Sequence, residues 1–327
     1  MCSPAHCGQV SLLQNLRALS ASKSSSKLPS EPAVAIVVLS HDGFELVRES
    51  LVSMGSLEYS NCDVLVVDNG SSDATSASVR RKFPDAEVLR SDANLGVAGG
   101  FNVGLRRVLS GEWKYALLMH NDVEPEPSML RELVDKAESM PEASAVGPKI
   151  HLFWDRERLL SAGGELRLGA VPVKWRGYDE VDTGQYDEDC EVDCVTSAAM
   201  LIRLDTVRKI GLFDPQLRFF EDADWCLRSR QAGFRVVYCH RAADWRLAVR
   251  WAPDRPKRAF EAGRSSALLI RRHAAVGRRV MFFLTTAWMI VPAVLQRLVR
   301  KRSSPLARAR GALAALSVKL ADPPRAQ

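Results

Sequence analysis

Three short polar clusters contain the side chains that could carry out a reaction: "HND" at 120–122, "DNG" at 68–70 and "ED" at 221–222. Carboxylates of this kind can bind a hard divalent cation, accept a hydrogen bond or take a proton from an attacking hydroxyl group. The alternative is structural, since Asn and Asp are common wherever a strand ends in a turn. The choice depends on whether the surrounding elements bring the three clusters together.

The order of the elements around these clusters predicts that they meet. Continuous apolar runs, typical of strands buried on both faces, occur in "AVAIVVLS", "CDVLVVD", "AEVLR", "YALLM" and "ASAVGP". Apolar residues at helical spacing lie between them, for example Val47, Leu51 and Met54, and Ser71 or Ser72 could cap the second helix. Alternating strands and helices predict an α/β fold with a mostly parallel, doubly wound sheet. Ligands bind such sheets at the carboxyl ends of the strands, where these clusters stand.

A glycine-rich stretch, "NLGVAGGFNVG", begins at Asn94 after the third predicted strand. Its glycines at 96, 99 and 100 do not have the GxGxxG spacing, so the dinucleotide-binding fingerprint is absent. They could let the chain approach a ribose or diphosphate closely, next to the free amides of a helix starting near Gly100. A flexible turn is the alternative, although a turn needs fewer glycines.

The charges are unevenly distributed along the chain. Between Arg255 and Gln327 there are 16 Lys and Arg against 2 acidic residues, a net of 16 − 2 = +14, which leaves 6 − 14 = −8 for the rest. An apolar run, Val280 to Leu295, lies inside this basic tail, but it has 16 residues and contains Pro292. Because a spanning helix needs about 20 apolar residues, we expect the run to lie in the interface of an anionic membrane. A core helix with solvated arginines is the alternative.

Residues 1–32 are Ser-rich and have no continuous apolar run of the secretory type, so we expect a disordered leader. We therefore predict three parts: the leader at 1–32, a catalytic domain at 33–250 and a basic, partly apolar helical tail at 251–327. Seven cysteines cannot all pair, which favours reduced thiols and a cytoplasmic location.

Five motifs in register resemble the glycosyltransferases of family 2, which have the GT-A fold, and their rhamnosyltransferase-type branch most closely. They are "VAIVVLSHDG", "VVDNGSSD", "NLGVAGGFNVG", "HNDVEP" and "FFEDADWCLRSRQAGFRVVY", and the resemblance covers roughly Ala33 to Arg246. It implies a Rossmann-like, mostly parallel sheet flanked by helices. It also implies an inverting enzyme that moves a sugar from a nucleoside-diphosphate donor, either dTDP-rhamnose or a UDP-sugar.

The resemblance implies a role for each polar position. Asp68 would accept a hydrogen bond from the N3 imide of uracil or thymine. Asp222 would be the general base that takes the proton of the acceptor hydroxyl, with Glu221 beside it. A solvated acidic helix start is the alternative for these two residues. The remaining residues of the implied nucleotide-sugar site are Ser40, Asn94, Gly96, Gly99, Asn102, Asn121 and Arg246.

The implied cofactor is Mg²⁺ or Mn²⁺, bound by Asp122 and His120, but the sequence departs from the family pattern here. His120 stands where Asp or Asn is more common, and Arg246 stands where many members have a metal-binding His. A guanidinium cannot bind a cation, although it can pair with a diphosphate. Ser197 also replaces a usual glycine. An enzyme that stabilises the leaving group with Arg246 and needs no metal therefore stays open.

We thus expect a glycosyltransferase of cell-wall polysaccharide synthesis, peripheral on the cytoplasmic face of the membrane, with a glycan or glycolipid acceptor. Two other classes of protein are alternatives. A nucleotidyltransferase would share the sheet, but "SHDGFE" after the first strand is not the basic, glycine-rich loop it needs. A non-catalytic nucleic-acid-binding protein would explain the basic tail but not the acidic remainder, so no nucleic-acid partner is expected.

Overall fold

The computed structural model describes residues 31–169, 171–247, 256–288 and 304–326. Strands and helices alternate in the first half of the chain, and the five predicted strands are all present. The elements of this half are β1 Val34–Ser40, α1 Phe44–Met54, β2 Cys62–Asp68, α2 Thr75–Lys82, β3 Glu87–Arg90, α3 Gly96–Leu109, β4 Tyr115–His120, β5 Val123–Pro125, α4 Met129–Ser139 and β6 Ala143–Leu152.

The second half adds short strands and then the helices of the tail. Its elements are β7 Asp155–Ser161, β8 Gly164–Leu166, β9 Val173–Trp175, β10 Cys190–Glu191, β11 Ala199–Arg203, α5 Leu204–Ile210, α6 Glu221–Gln231, β12 Arg235–Arg246, α7 Pro256–His273, α8 Val276–Trp288, α9 Ser304–Ala314 and a 3₁₀ turn at Ala315–Ser317. Gly233, at φ +88°, lies in the turn between α6 and β12.

The central sheet has the strand order β10-β12-β6-β11-β4-β1-β2-β3. β1 is parallel to β2 and β4, and β2 is parallel to β3. β11 lies antiparallel between β4 and β6, while β12 is parallel to β6 and also pairs with β5. The sheet is therefore mostly parallel, as expected, with one antiparallel strand at its centre.

Alternate residues of β1 point into two apolar layers, because successive side chains of a strand face opposite sides of the sheet. Ala35, Val37 and Leu39 pack in the layer that contains α3. Val34, Ile36 and Val38 pack in the layer that contains α1 and α4. All six side chains are buried, so the sheet is covered on both faces, and its carboxyl edge is where ligands can approach.

The glycines of α3 serve helix packing. A methyl group on Gly100 would lie 2.4 Å from Leu39 Cδ1, and one on Gly104 would lie 2.4 Å from Val37 Cγ1. Only glycine lets α3 lie this close to β1. The expected helix start near Gly100 is in fact at Gly96, one turn earlier.

The second helix begins later than expected. α2 starts at Thr75 after Ala74, so the predicted caps Ser71 and Ser72 are wrong. The Ser71 hydroxyl instead accepts a hydrogen bond from the Asp42 backbone N–H at 2.9 Å, across the strand ends. A long-range contact has replaced the local cap.

The tail helices α7 and α9 pack against the catalytic part of the chain, in a cluster formed by Leu217, Leu268, Ile270, Ala312 and Ala315. α8 differs, since most of its apolar side chains are exposed. Within the residues described, no helix combines the length and apolarity that crossing a membrane requires. The expected leader up to residue 30, and 289–295 of the apolar run, lie outside the described residues.

Candidate active site

The predicted convergence of strand ends is present in the register of the sheet. Ser40, the last residue of β1, is paired with Asp68 of β2, and Leu39 is paired with His120 of β4. Asn121 follows β4 directly, and its side-chain amide donates to the Ser40 hydroxyl at 3.2 Å. Three clusters of polar groups thus share one edge because three parallel strands end at the same level.

Asp68 lies at this edge, but its carboxylate is fully buried and engaged within the protein. It accepts hydrogen bonds from the Ser71 backbone N–H at 2.8 Å, from the Ser76 hydroxyl and from Arg90 at 3.1 Å. Burial alone would raise the pKa of Asp68, but the hydrogen bonds from Ser71 and Ser76 and the charge of Arg90 hold it below its usual value. The predicted contact with a base imide is therefore not supported, and Asp68 organises the turn at 69–71.

The glycine-rich segment divides into exposed and buried positions. Asn94 is exposed, and its side-chain oxygen accepts the Gly96 backbone N–H at 2.8 Å. Asn102 is buried, and its amide pairs with both backbone groups of Phe213 at 2.9 and 3.0 Å. Gly99 is buried beneath Leu95. Asn102 and Gly99 thus lie on the buried side of α3, and their contact with the donor stays a prediction, whereas Asn94 and Gly96 are accessible.

Arg246, the last residue of β12, connects the two residues expected to bind metal. Its Nε donates to both carboxylate oxygens of Asp122 at 3.3 Å, and its Nη2 lies 2.9 Å from His120 Nδ1. His120 Nδ1 must therefore accept, which leaves the proton of the neutral ring on Nε2. Burial and the charge of Arg246 lower the pKa of His120 to about 4, so the ring is neutral at physiological pH.

A divalent cation does not fit this arrangement. The nitrogen and oxygen atoms of His120 and Asp122 that would bind it face the guanidinium of Arg246, which is already a cation. Two cations sharing one position repel strongly in a partly buried site. In the part of the chain described, no group of three or more His, Cys, Asp or Glu side chains has the geometry of a metal site.

Asp244 is a further carboxyl group at this edge that the motifs do not indicate. It stands two residues before Arg246 on β12, is fully buried, and among the described residues neither side-chain oxygen has a hydrogen-bond partner. Burial raises the pKa of Asp244 well above its usual value, only partly countered by Arg246. The i, i+2 spacing in "DWR" was the available signal, since it places both side chains on one face of a strand.

Glu221 and Asp222 start α6 and are held by the segment before β11. The Asp222 carboxylate accepts the backbone N–H groups of Ser197 at 3.1 Å and Ala223 at 2.8 Å, while the Ser197 hydroxyl donates to Glu221 at 3.1 Å. Burial and the neighbouring charge of Asp222 raise the pKa of Glu221 to about 8. Burial also raises the pKa of Asp222, while its two backbone N–H donors oppose this rise because they favour the ionised form.

These groups adjoin the strand-end cluster. The backbone N–H of His120 donates to Ala198 at 3.0 Å, so the segment that holds Asp222 also continues the edge of β4. The charge of Arg246 is near enough to oppose the rise in the pKa of Glu221. Ser197, which replaces a usual glycine, fixes both acidic residues through its amide and its hydroxyl. The arrangement places the Glu221–Asp222 pair next to the strand end that carries His120.

Asp224, the third acid of this motif, has a structural role. It is fully buried and contacts Arg228 at 2.9 Å and His273, the last residue of α7, at 2.8 Å. Burial would raise the pKa of Asp224, but the hydrogen bond from His273 and the charge of Arg228 hold it below its usual value. Asp224 therefore anchors the tail to the helix that carries Asp222.

Comparison with protein families and curated proteins gives a consistent result. The family described as "Glycosyl transferase family 2" matches residues 35–206. The N-acetylglucosaminyl-diphospho-decaprenol L-rhamnosyltransferase of Mycobacterium tuberculosis is 26% identical over 196 residues, which cover 54% of this chain and 63% of that protein. The pre-mycofactocin glycosyltransferase of the same species is 27% identical over 252 residues, which cover 74% of this chain and 49% of that protein. The chain thus spans less than two thirds of the length of these relatives.

Two solved structures share the fold. A mannosyltransferase from Pyrobaculum calidifontis, in complex with GDP-Man and Mn²⁺, has a TM-score of 0.57 at 14% identity, covering 96% of both chains. GalNAc-T7, with UDP, GalNAc and Mn²⁺, has a TM-score of 0.62 at 11% identity, covering 99% of this chain and 68% of that one. These likenesses confirm the GT-A fold expected from the sequence.

Proposed function

The chain belongs to glycosyl transferase family 2, and we propose that it transfers a hexose, with inversion, from a nucleoside-diphosphate sugar to a hydroxyl of a lipid-linked or cell-surface glycan. The observation that carries the proposal is the position of Asp222, a buried carboxylate held by two backbone N–H groups, one of them from the segment that adjoins the carboxyl end of β4. Its neighbour Glu221 is close enough to Arg246 to be affected by the charge of that guanidinium. An inverting transfer needs such a base opposite a site for the leaving diphosphate.

The proposed sugar transfer moves one proton and exchanges one bond at the anomeric carbon. Asp222 takes the proton of the acceptor hydroxyl while the oxygen of that hydroxyl forms a bond to the anomeric carbon. The bond from that carbon to the diphosphate oxygen breaks, and the nucleoside diphosphate leaves with the electron pair. Asp222 is suited to this role because its carboxylate accepts two backbone N–H groups, which fix its position and favour the ionised form that can take a proton. Asn121, Asn94 and Gly96 line the approach of the donor.

The name of one relative supports a class of donor and acceptor for this proposal. The first of the two Mycobacterium tuberculosis relatives is named as an N-acetylglucosaminyl-diphospho-decaprenol L-rhamnosyltransferase. We therefore assign dTDP-rhamnose or a UDP-hexose as donor and a diphosphoprenyl-linked or cell-surface glycan as acceptor, within cell-wall polysaccharide synthesis.

A peripheral location on the cytoplasmic face of the membrane is supported by α8. Its apolar stripe consists of Val276, Val280, Met281, Leu284 and Trp288, with exposed fractions of 70, 52, 62, 61 and 79%. The spacing puts all five on one side of the helix, and Arg278 and Arg279 lie among them. An exposed apolar stripe next to basic residues fits the surface of an anionic bilayer, where a lipid-linked acceptor is presented.

A thermal-shift panel tests the donor class. UDP-, dTDP- and GDP-sugars are added to the full chain, and the one that binds the folded state raises the melting temperature in proportion to its occupancy. A selective shift with a dTDP- or UDP-sugar, followed by transfer of the labelled sugar to a diphosphoprenyl-linked N-acetylglucosamine, is the expected result. No shift with any of these donors would contradict the proposal.

A further inference from the structure

The guanidinium of Arg246 is held from two directions at the carboxyl edge. The Asp122 carboxylate accepts a hydrogen bond from Arg246 Nε at 3.3 Å, and His120 Nδ1 lies 2.9 Å from Arg246 Nη2. These are the two side chains whose types and positions suggested a divalent cation. The positive charge between these two side chains is therefore the guanidinium of Arg246 itself, a group that belongs to the protein.

The strand pairing makes this position of Arg246 a fixed feature of the fold. Arg246 pairs with Val123 of β5 on one side and with Leu152 of β6 on the other. The Leu247 backbone N–H donates to the Asp122 carbonyl at 2.8 Å, and the Phe153 N–H donates to the Arg246 carbonyl at 2.9 Å. Its side chain is 21% exposed, so the guanidinium can still meet a ligand at the edge.

A second guanidinium lies at the glycine-rich segment. Arg218 is exposed, and Gly96, at φ +76°, packs against it so closely that a methyl group there would lie 2.4 Å from Arg218 Nη1. Among the described residues, no carboxylate forms an ion pair with this side chain. The backbone N–H groups of Arg218 and Phe219 both donate to the Ser265 hydroxyl, at 3.1 and 3.3 Å. These hydrogen bonds fix the backbone from which the Arg218 side chain extends.

We infer that Arg246, with Arg218 as a second cation, neutralises the donor diphosphate in place of a divalent metal ion, so that donor binding requires no added metal. This inference rests on the proposed function. The planar guanidinium fork pairs with two phosphate oxygens at once. Its charge also offsets the negative charge that develops on the leaving diphosphate, while the acceptor proton goes to Asp222.

The test measures binding of nucleoside diphosphates by titration calorimetry, which needs no turnover. UDP, dTDP and GDP are titrated into the full chain with EDTA and, separately, with Mn²⁺. The expected result is a dissociation constant that agrees within about twofold between the two conditions, with Arg246→Ala and Arg218→Ala each weakening binding by about tenfold or more. Arg246→Lys keeps a charge without the fork and is expected to lie between Arg246→Ala and the unchanged protein.

Arg246→His gives the most specific readout. It places a second imidazole beside His120 and Asp122, a donor set that suits a transition-metal ion. Bound Mn²⁺, measured by electron paramagnetic resonance, is expected for this variant and not for the unchanged protein. Arg241→Ala is the matched control, since Arg241 is on the same strand but pairs with Glu132 at 3.1 Å and is 64% exposed. Nucleoside diphosphates are expected to bind this variant as they bind the unchanged protein.

Binding that occurs only with Mn²⁺, or an Arg246→Ala variant that binds as the unchanged protein does, would overturn the inference and leave the proposed function standing. Failure of all three nucleoside diphosphates to bind under both conditions would overturn the proposed function, and the inference with it. Circular dichroism and the melting temperature of each variant establish that it is folded.

Discussion

The Nε atom of Arg246 lies 3.3 Å from each carboxylate oxygen of Asp122. A carboxylate in this position has a different role from a metal ligand, because it orients a cation that the chain already carries. The distinction has consequences for substitutions at Asp122 itself.

Asp122→Asn separates the two roles. If Asp122 only orients Arg246, removing its charge leaves more positive charge for the diphosphate, so UDP or dTDP is expected to bind as tightly or up to about threefold more tightly. Transfer is expected to fall by about tenfold or more because the guanidinium is less well positioned. Calorimetry and a labelled-sugar assay measure the two quantities. Loss of binding that excess Mn²⁺ restores would indicate a metal ligand instead.

Glu221 makes stability depend on pH. Its pKa is about 8 in the folded protein against an ordinary 4.5. Between these values the folded state holds a proton that the unfolded state has lost, so the free energy of unfolding decreases as the pH rises. Glu221→Gln removes this pH-dependent loss of stability, so we expect the substitution to raise the melting temperature at pH 8.5 more than at pH 5.

Melting curves across this pH range check the effect of Glu221→Gln. Glu45→Gln is the matched control, because the Glu45 side chain is 70% exposed and pairs with Arg48 on its own helix. An equal shift at both pH values would show that Glu221 is ionised throughout.

The sequence predicted the framework of the site better than its individual contacts. Apolar runs ending in polar residues identify β1, β2 and β4, and parallel strands must then bring Ser40, Asp68 and Asp122 to one edge. Periodicity cannot reveal which side of α3 faces the core, and no local pattern indicates that Asn102 pairs with Phe213, 111 residues away. Long-range pairs of this kind depend on how loops meet, which local patterns do not encode.

The same limit applies to the charges at the site. The motif identified Arg246 as a departure from the family pattern, but its position between His120 and Asp122 follows from the pairing of β12 with β5 and β6. Arg218 had no sequence signal at all, since it reaches Gly96 only through the loop before α6. The placement of both cations is thus a property of the tertiary structure.

Asp224→Ala is expected to loosen the tail and lower stability. Asp224 is fully buried between Arg228, Arg272 and His273, and removing it leaves Arg228 without its carboxylate partner, while Arg272 keeps Asp214. Removing one member of a buried ionic group costs about 3–5 kcal/mol. Because the pKa of Asp224 is lowered, its contribution is present above its ordinary pKa and is lost as the pH falls through the folded value.

Denaturant unfolding near pH 7 measures this loss for Asp224→Ala. Asp205→Ala is the matched control, because its carboxylate is 76% exposed and pairs with Arg208 on the same helix, where such a pair contributes about 0–1 kcal/mol. Equal effects of the two substitutions would contradict the anchoring role of Asp224.

The apolar stripe of α8 predicts binding to anionic vesicles. Leu284→Ser with Trp288→Ser removes two of its exposed residues, with 61 and 79% of their surface accessible. We expect this double variant to sediment less with phosphatidylglycerol-rich vesicles, because less apolar area is buried at the interface. Trp154→Ser with Val171→Ser removes apolar residues of similar exposure, 51 and 60%, away from α8 and is expected to change nothing. Equal binding of both double variants would exclude α8 as the membrane contact.

The most direct test of the proposed transfer is Asp222→Asn, an almost isosteric change that removes the proton acceptor. The nucleotide-sugar that stabilises the unchanged protein is titrated into the variant, and single-turnover transfer to a diphosphoprenyl-linked N-acetylglucosamine is measured beside it. We predict donor binding within about threefold of the unchanged protein and a loss of transfer of about a hundredfold or more. Transfer at the unchanged rate would contradict the account, because Asp222 would then not be the base.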